Sequence, residues 1–472
     1  MKKNDTSTGS KWYDRFVKQH DDKKAAASKK ISKGGSVGRT CSSKTQGRRQ
    51  DIPTAAGGHT YNRNPDAKLT AVTPLFDTGA IPEDAQKVLN SFSAIVQGVF
   101  PSSGKQQLSL PNDVRRLSHE LTDERNERRV GYMNTPSALS AYVHYFMWWN
   151  LVRLTRLFAN LGSSVFPLDN GDCCLDIGSG PLTVVTALWL ACPGLRNKKI
   201  TWYCMDISQN ALSLGEDIYL SITARTPPEE KNAEPHWNII RVKGAVGTEI
   251  RKKASFITCA NMFNELYQDG QYTPEYLAEK YTSMLLSYAA EKHTMLVVEP
   301  GIPRQARIIS LLRDSFIKTG MTITAPCPHA EDCAMNGLHA RMGGTTKWCN
   351  FAFTTDDAPR QLQELSADAG IPKERAVLSF IIASNTGSRP AETEHDDTTD
   401  STLSLRIASA PIRLPGYRTG YYACSRLGLT LVVDASGINV KSGDLITAQP
   451  LHDFAGLSKD AKTGAKEVII IK

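Results

Sequence analysis

The apolar positions in the middle of the chain change repeatedly between a strand-like and a helix-like spacing. Short apolar runs predict strands at residues 173–176, 201–205, 237–242, 255–260 and 294–298. The intervening segments with helical spacing are residues 182–191, 209–224, 274–290 and 303–318. Strands that alternate with helices are typical of a parallel sheet covered on both faces. The predicted fold class is therefore α/β, with a doubly wound sheet.

The same patterns divide the whole chain of 472 residues into six segments. Helical spacing of apolar residues begins near Leu69 and continues to Leu161, with a helix start at Thr135-Pro136. The predicted segments are a disordered basic tail (1–65), a helical N-terminal region (66–165), the sheet domain (166–320), a cysteine-rich region (321–385), an acidic linker (386–402) and a small C-terminal β domain (403–472).

The positive charge of the chain is concentrated in the tail. Residues 1–50 contain 14 Lys and Arg against 4 Asp, whereas the net charge of the whole chain is +8. Clustered Lys and Arg neutralise phosphates, so nucleic acid is one expected partner of the tail, and a purely solubilising role is the other. The tail lacks an apolar signal core, which favours a cytoplasmic location. No apolar run approaches the roughly 18 residues of a membrane span, so no membrane partner is expected.

A carboxylate and two alternate glycines follow the first predicted strand. Gly178 and Gly180 have no Cβ, so the backbone can approach a ligand closely, and the next helix presents its free N–H groups there. Asp176 ends this strand and Asp206 ends the second. A carboxylate at the second position can accept hydrogen bonds from the ribose hydroxyls of an adenosine ligand. The alternative for Asp206 is a role in the cap of the following helix, which Ser208 could also fill.

The later strands also end in polar residues. Asn261, Asn264 and Glu265 follow the fourth strand, and the fifth ends at residues 299–301 with Glu-Pro-Gly. Ligands of doubly wound sheets bind beyond the carboxyl ends of the strands, where these groups converge. A polar turn without a ligand remains the alternative for Asn264 and Glu265. As a hypothesis, these two residues orient an acceptor or take its proton, which makes them the catalytic candidates.

In these motifs the chain resembles the class I methyltransferases that bind S-adenosylmethionine. It resembles more closely the mitochondrial small-ribosomal-subunit assembly family known as methyltransferase-like protein seventeen, with its yeast and bacterial relatives. The motifs that carry this resemblance are Leu-Asp-Ile-Gly-Ser-Gly-Pro at 175–181, Met-Phe-Asn-Glu-Leu at 262–266, Val-Glu-Pro-Gly at 298–301, Cys-Pro-His at 327–329, Trp-Cys-Asn-Phe at 348–351, Arg-Leu-Pro-Gly at 413–416 and Tyr-Ala-Cys at 422–424.

The resemblance implies a methyltransferase-like protein that binds S-adenosylmethionine and acts with the small ribosomal subunit and its rRNA. The cofactor-binding residues would be Asp176, Gly178, Ser179, Gly180, Asp206 and Asn261. The alternative is a non-catalytic rRNA-binding assembly factor that retains the fold. In the family a third alternate glycine is usual where this chain has Leu182, whose side chain is expected to crowd the pocket. Apart from the ribosome the chain is expected to be a monomer, and a eukaryotic source would imply a mitochondrial location.

Four cysteines form the second candidate site. Cys327, Cys333 and Cys349 have the spacing C-x5-C-x15-C, and Cys424 follows after 74 residues. Thiolates suit iron–sulfur clusters and zinc, although the spacing is not the C-x2-C pair of zinc ribbons, and four unrelated thiols remain the alternative. The resemblance implies a [4Fe–4S] cluster on these residues, with zinc as the minor option. His329 and His339 are reserve ligands, and the expected role of the cluster is structural.

Overall fold

The computed structural model of this protein describes residues 64–122, 132–263, 272–342, 344–386 and 402–472. Most of the predicted basic tail, the catalytic candidates Asn264 and Glu265, and residues 387–401 of the predicted acidic linker lie outside these ranges.

The strands of the described residues are β1 (Ala67–Thr73), β2 (Cys173–Ile177), β3 (Thr201–Asp206), β4 (Asn238–Lys243), β5 (Ala254–Ala260), β6 (Ala289–Pro300), β7 (Thr322–Ala325), β8 (Phe351–Thr354), β9 (Arg375–Ser384), β10 (Leu403–Ile407), β11 (Ile412–Arg413), β12 (Thr419–Ser425), β13 (Gly428–Asp434), β14 (Leu445–Pro450) and β15 (Lys466–Ile471).

The α-helices are α1 (Glu83–Val99), α2 (Gly104–Thr122), α3 (Pro136–Ala141), α4 (Trp148–Ala159), α5 (Thr183–Ala191), α6 (Pro193–Arg196), α7 (Gln209–Thr223), α8 (Pro274–Tyr288), α9 (Pro303–Lys318) and α10 (Arg360–Asp368). A π-helical stretch, Tyr142–Met147, joins α3 to α4, and short 3₁₀ turns lie at Thr78–Ala80, Tyr132–Asn134, Ser163–Val165 and Pro415–Tyr417. No helix among the described residues combines the length and apolar character needed to cross a bilayer.

The central sheet has the strand order β4-β3-β2-β5-β6-β9-β7, and β8 pairs with β9 as well. The strands β2 to β6 are mutually parallel, whereas β9 is antiparallel to its neighbours β6 and β7. A parallel sheet with one antiparallel strand inserted next to the last position is the arrangement of class I methyltransferases. The predicted α/β fold class is therefore confirmed.

The two faces of this sheet are covered by different helices. Successive side chains of a strand point to opposite faces, so Cys174 and Cys204 pack into one core while Leu175 and Tyr203 pack into the other. The helices α1, α4, α5 and α7 contribute to the first core, and α8 and α9 contribute to the second. Burial on both faces explains why the inner strands β2, β3 and β5 are apolar runs.

Three strands of the central sheet lie beyond residue 320, where the sequence predicted the sheet domain to end. The strand β9 is buried along nearly its whole length and pairs with β6 from Thr294 to Pro300. The cysteine-rich region is consequently not a separate appendage, because it connects β7 to β8 within this sheet. Neither β7 nor β8 exceeds four residues, which is too short for a distinct apolar pattern.

A second sheet combines the two ends of the described chain. Its strands follow the order β10-β14-β1-β15-β13-β12, and an additional pairing of β10 with β12 closes them into a barrel. The segment Ala67–Thr73 was expected to be helical, but it forms β1 and pairs with β14 and β15. Its apolar and polar residues alternate from Ala67 to Ala71, which is the strand period, and its partners are nearly 400 residues away in sequence.

Candidate functional site

The loop after β2 depends on two glycines in the left-handed region. Gly178 has a φ of 70° and Gly180 a φ of 51°, a conformation that costs residues with a Cβ about 1–2 kcal/mol. A Cβ on Gly178 would also lie 3.2 Å from the side chain of Met262. The N–H groups of Gly178 and Ser179 donate to the carbonyl oxygen of Met205 at 2.9 and 3.0 Å. The loop is thereby fixed against the end of β3, and Gly178 is exposed to solvent.

Asp176 lies beneath this loop and is completely buried. Its carboxylate accepts hydrogen bonds from the hydroxyls of Ser179, at 2.6 Å, and Thr258, at 2.7 Å. Burial raises the pKa of Asp176 to about 6, the charge of Asp206 adds to this, and the two hydroxyl hydrogen bonds oppose it. Asp176 and Ser179 thus hold the shape of the loop from inside the protein.

Asp206 connects the loop to the start of α7. One carboxylate oxygen accepts a hydrogen bond from the N–H of Gly180 at 2.9 Å, and the other accepts one from the N–H of Ser208 at 2.8 Å. The cap of α7 is Ser208 itself, whose hydroxyl accepts from the N–H of Ala211 and donates to the side chain of Asn134. The helix cap that remained an alternative for Asp206 is therefore supplied by Ser208.

Leu182 does not crowd the loop, contrary to the expectation from the sequence. Its side chain is fully buried in the apolar core that the helices α5 and α7 share. Its φ of 57° nevertheless lies in the left-handed region, which a glycine would adopt more easily. Burial of a leucine side chain contributes about 1.5–3 kcal/mol, which is enough to offset the backbone cost of about 1–2 kcal/mol.

The loop is also supported from the side by α7. At Gly215 the helix approaches Pro181 so closely that an added Cβ would lie 2.5 Å from the Cα and 2.7 Å from the carbonyl oxygen of Pro181. No real Cβ tolerates such distances to backbone atoms, because neither atom can move without moving the chain. Gly215 therefore sets the position of α7 against the glycine loop.

A polar cluster forms the rim beside the loop, at the carboxyl ends of β5 and β6. Asn261 has a φ of 57°, and its N–H donates to the carbonyl oxygen of Val298 at 2.8 Å. Glu299 is completely buried and accepts a hydrogen bond from the N–H of Phe263 at 2.8 Å. Arg153 of α4 donates to the side chain of Asn261 at 3.3 Å.

The guanidinium of Arg153 joins this rim to two other parts of the fold. It donates to the carbonyl oxygen of Val377 in β9 at 3.0 Å and to the side chain of Asn150 at 2.6 Å. Burial lowers the pKa of Arg153 to about 10, and the charge of Glu299 partly opposes this shift. A cation with a buried carboxylate beside it is a polar arrangement that could bind or orient a substrate at this edge.

The four candidate cysteines gather where the central sheet meets the barrel. Cys327 and Cys333 lie in the loop after β7, Cys349 precedes β8, and Cys424 lies on β12 of the barrel. Burial raises the pKa of Cys349 well above its usual value, and the negative charges of Cys333, Cys327 and Cys424 raise it further. The four thiols therefore lie within electrostatic reach of one another.

Two buried arginines accompany these thiols. Arg406 is directly opposite Cys424 in the pairing of β10 with β12, and burial lowers its pKa to about 10 while the neighbouring thiols oppose that shift. Arg313 of α9 is also buried. Burial alone would lower its pKa, but the nearby thiols of Cys327 and Cys333 reverse the shift, and the net change is upward. Both cations favour the thiolate form that binds metals.

As the side chains stand, the described residues contain no group of three or more His, Cys, Asp or Glu arranged to hold a metal ion. The thiols are therefore close enough to interact electrostatically without being in ligand geometry. Of the two reserve ligands, His329 lies 3.0 Å from the sulfur of Cys424 through its Nε2 atom, whereas His339 is exposed on the loop.

The comparison with known families decides what the chain is related to. The family model described as mitochondrial small ribosomal subunit Rsm22 matches residues 147–407, which is more than half of the sequence. The chain belongs to the Rsm22 family. The matched range includes the glycine loop and Cys327, Cys333 and Cys349, and it ends before Cys424.

Solved structures similar to this Rsm22-family chain include two methyltransferases. One is an S-adenosylmethionine-dependent methyltransferase from Geobacter sulfurreducens in complex with S-adenosyl-L-homocysteine, with 13% identity, a TM-score of 0.27, and coverage of 57% of this chain and 97% of that chain. The other is an S-adenosylmethionine-dependent methyltransferase from Aquifex aeolicus, with 14% identity, a TM-score of 0.24, and coverage of 35% of this chain and 80% of that chain. No curated protein matches the sequence.

Several residues of the candidate site were not found from the sequence. Arg153 could have been suspected, because it interrupts the apolar face of a helix. Arg313 and Arg406 carry no such signal, since their nearness to the cysteines depends on the packing of α9 and the barrel. Gly215 could have been flagged as a glycine inside a regular helical pattern.

Proposed function

We propose that this Rsm22-family chain is an S-adenosylmethionine-dependent methyltransferase that acts on the RNA of the small ribosomal subunit. The observation that carries the proposal is the loop of Gly178 and Gly180 tied to Asp206 at the carboxyl edge of a class I methyltransferase sheet. The family description supports the small ribosomal subunit as the target. The doubly wound sheet supports a cofactor with a nucleoside part, such as S-adenosylmethionine.

Each loop residue has a distinct part in holding S-adenosylmethionine. The backbone at Gly178 would contact the cofactor because it is exposed and has no Cβ. Asp206 would accept hydrogen bonds from the ribose hydroxyls, since a carboxylate can accept about four hydrogen bonds. Asp176 and Ser179 would support the loop from its buried side, because the hydrogen bond between their side chains fixes the shape of the loop. Asn261 would border the cofactor on the acceptor side.

The acceptor would approach at the rim formed by the carboxyl ends of β5 and β6. Asn264 and Glu265 directly follow Phe263 in the sequence, and the N–H of Phe263 donates to Glu299 at this rim. Their proposed roles are to orient the acceptor and to take its proton. The cofactor supplies the methyl group, and the fold contributes by keeping donor and acceptor aligned.

We propose further that Cys327, Cys333, Cys349 and Cys424 hold a [4Fe–4S] cluster, with zinc as the alternative. The donor chemistry supports this proposal, because thiolates are the usual ligands of such clusters and two buried guanidiniums would offset the negative charge of the centre. When bound, the cluster would supply a structural cross-link. Cys424 comes from the barrel and the other three from the sheet domain, so these residues would join the two.

A non-catalytic role in binding rRNA is the second candidate. The observation that favours it is that each carboxylate oxygen of Asp206 already accepts a backbone hydrogen bond. Either role places the chain with ribosomes, in the bacterial cytoplasm or, for a eukaryotic source, in the mitochondrion. We propose the small ribosomal subunit as the partner, and a monomer as the state of the chain apart from the ribosome.

The proposal is tested by incubating the chain with S-adenosylmethionine that carries a tritiated methyl group and with small ribosomal subunits purified from cells that lack this protein. We expect the RNA of these subunits to be labelled, and subunits from normal cells to be labelled little. The variants Asn264→Ala and Glu265→Ala should reduce the rate by about 100-fold or more, as expected when an acid–base group is lost. Glu364→Ala, an exposed residue of α10, is the control.

Two outcomes would change the proposal in different ways. Equal rates for the parent and both variants would remove Asn264 and Glu265 from the mechanism. A chain that binds S-adenosylmethionine and small subunits but transfers no methyl group to either preparation would favour the non-catalytic role.

A further inference from the structure

We infer that Arg153 is a positioning residue of the acceptor edge, which turns the side-chain NH2 group of Asn261 toward the base that accepts the methyl group. The inference rests on the proposed function for the presence of such a base, and it names the chemistry of that base. An NH2 group donates hydrogen bonds. The matching base therefore offers a lone pair at this point, on a carbonyl oxygen or an unprotonated ring nitrogen, and not an exocyclic amino group.

The guanidinium of Arg153 is anchored on two elements besides its contact with Asn261. Its Nη1 atom donates to the carbonyl oxygen of Val377 in β9 at 3.0 Å. Its Nη2 atom donates to the side chain of Asn150, which lies one turn earlier in α4, at 2.6 Å. The helix and the strand together determine where the planar fork of N–H groups lies, so it is a rigid support for a third contact.

The contact with Arg153 decides which way the carboxamide of Asn261 faces. A guanidinium has five N–H donors and no acceptor, so the atom of Asn261 that meets Nη2 at 3.3 Å is the carbonyl oxygen Oδ1. The reverse orientation would place N–H donors against each other. The amide nitrogen Nδ2 consequently lies on the other side of the group, and it has no hydrogen-bond partner among the residues that the structure describes.

Arg153 remains a donor at neutral pH. Burial lowers its pKa to about 10, and the charge of Glu299 opposes part of this shift. A guanidinium with this pKa is still protonated near pH 7. Hydrogen bonds from a charged donor are stronger than those between neutral groups, so the orientation of Asn261 is favoured over a rotated amide.

The backbone at Asn261 is fixed independently of its side chain. Its φ of 57° lies in the left-handed region, which asparagine adopts more readily than most residues with a Cβ, and its N–H donates to the carbonyl oxygen of Val298 at 2.8 Å. The next residue, Met262, lies against the glycine loop, since a Cβ on Gly178 would be 3.2 Å from its side chain. Asn261 is thus one residue from the loop proposed to hold the methyl donor, where an acceptor base must enter.

The variant Asn261→Asp tests the direction of the proposed hydrogen bond. It replaces the NH2 group by an oxygen and keeps the partner of Arg153, so the free energy of unfolding should stay near that of the parent. We expect kcat/KM for methyl transfer to small subunits to fall by about 10- to 100-fold, because a lone pair of the base then meets a lone pair of the protein. Arg153→Met, which allows the amide to rotate, should lower kcat/KM by about tenfold.

Arg156→Met is the matched control. Arg156 lies one turn further along α4, and its Nε atom donates to the carbonyl oxygen of Phe76 at 2.8 Å. Its loss should lower the stability as the loss of Arg153 does, but it should leave kcat/KM near the value of the parent. An equal fall in kcat/KM for both arginine variants would overturn the positioning role.

A second readout does not depend on catalysis. In a chain labelled with heavy nitrogen at asparagine only, the NH2 signal of Asn261 in a nuclear magnetic resonance spectrum is the one that Asn261→Asp removes. We expect Arg153→Met to shift this signal and Arg156→Met to leave it in place. An unmoved signal in Arg153→Met would overturn the contact.

The remaining outcomes separate this inference from the proposed function. Transfer by Asn261→Asp as fast as that of the parent, or faster, would overturn the inference, because an oxygen suits a base that presents an amino group. So would a loss of affinity for S-adenosylmethionine in this variant as large as its loss in kcat/KM, which would assign the amide to the cofactor. A parent that transfers no methyl group would contradict the proposed function, and the NH2 signal would still decide whether Arg153 holds Asn261.

Discussion

The variant Cys349→Ala is expected to lose the proposed cluster almost completely. The backbone at this position is held independently of the thiol, since the N–H of Cys349 donates to Met335 at 3.0 Å and its carbonyl oxygen accepts from Ser379 at 2.8 Å. The substitution therefore removes a ligand without removing the local fold. Because metal binding contributes folding free energy, we expect the free energy of unfolding to fall by about 3 kcal/mol or more.

The measurement is iron and acid-labile sulfide content after anaerobic purification, together with thermal unfolding. Cys192→Ala is the matched control, because Cys192 is a partly buried cysteine at the end of α5 and outside the group of four. The control should keep the metal content of the parent. A Cys349→Ala protein with the iron and sulfide of the parent would contradict the assignment, and a colourless parent with one zinc would replace the cluster by zinc.

Gly215→Ala is expected to damage both the fold and the cofactor site. Alanine normally stabilises the middle of a helix by about 1 kcal/mol relative to glycine. Here its Cβ would overlap Pro181, so α7 must shift away from the glycine loop. We expect a net loss of about 1–3 kcal/mol in the free energy of unfolding, as for other overpacked sites. Affinity for S-adenosylmethionine should fall by about tenfold or more.

Denaturant unfolding and cofactor titration of the same preparations measure these two effects. Gly98→Ala is the control, since Gly98 lies in α1 with no atom within 4 Å of the added Cβ. That variant should be as stable as the parent or slightly more stable. A Gly215→Ala protein that behaves like Gly98→Ala would mean that the contact between α7 and the loop does not position the loop.

The sequence was sufficient to predict that the polar residues at the ends of successive strands lie at one edge of the sheet. Parallel strands have their carboxyl ends at one edge, so Asp176, Asp206 and Asn261 could be assigned to one place without coordinates. The strands β2, β3, β5 and β6 were visible because both of their faces are largely buried, which makes them apolar runs, whereas the edge strand β4 is only partly buried. These predictions depend only on local pattern and on one rule of topology.

What could not be predicted depends on contacts between distant segments. The strand β1 is recognisable only once its partners β14 and β15 are known, because its short alternating pattern is weak by itself. Arg406 faces Cys424 only because β10 and β12 close the barrel. Leu182 was misjudged for a similar reason: its side chain direction follows from its left-handed backbone, which the sequence does not specify.

Titration of the metal-loaded chain with S-adenosylmethionine in a calorimeter tests the central claim most directly. The account predicts saturable binding of one cofactor per chain. It also predicts that Asp206→Ala weakens binding by about tenfold or more, because hydrogen bonds to a charged group contribute about 1.5–3 kcal/mol. A metal-loaded parent that binds no S-adenosylmethionine, or an Asp206→Ala variant that binds it as tightly as the parent, would contradict the proposed site.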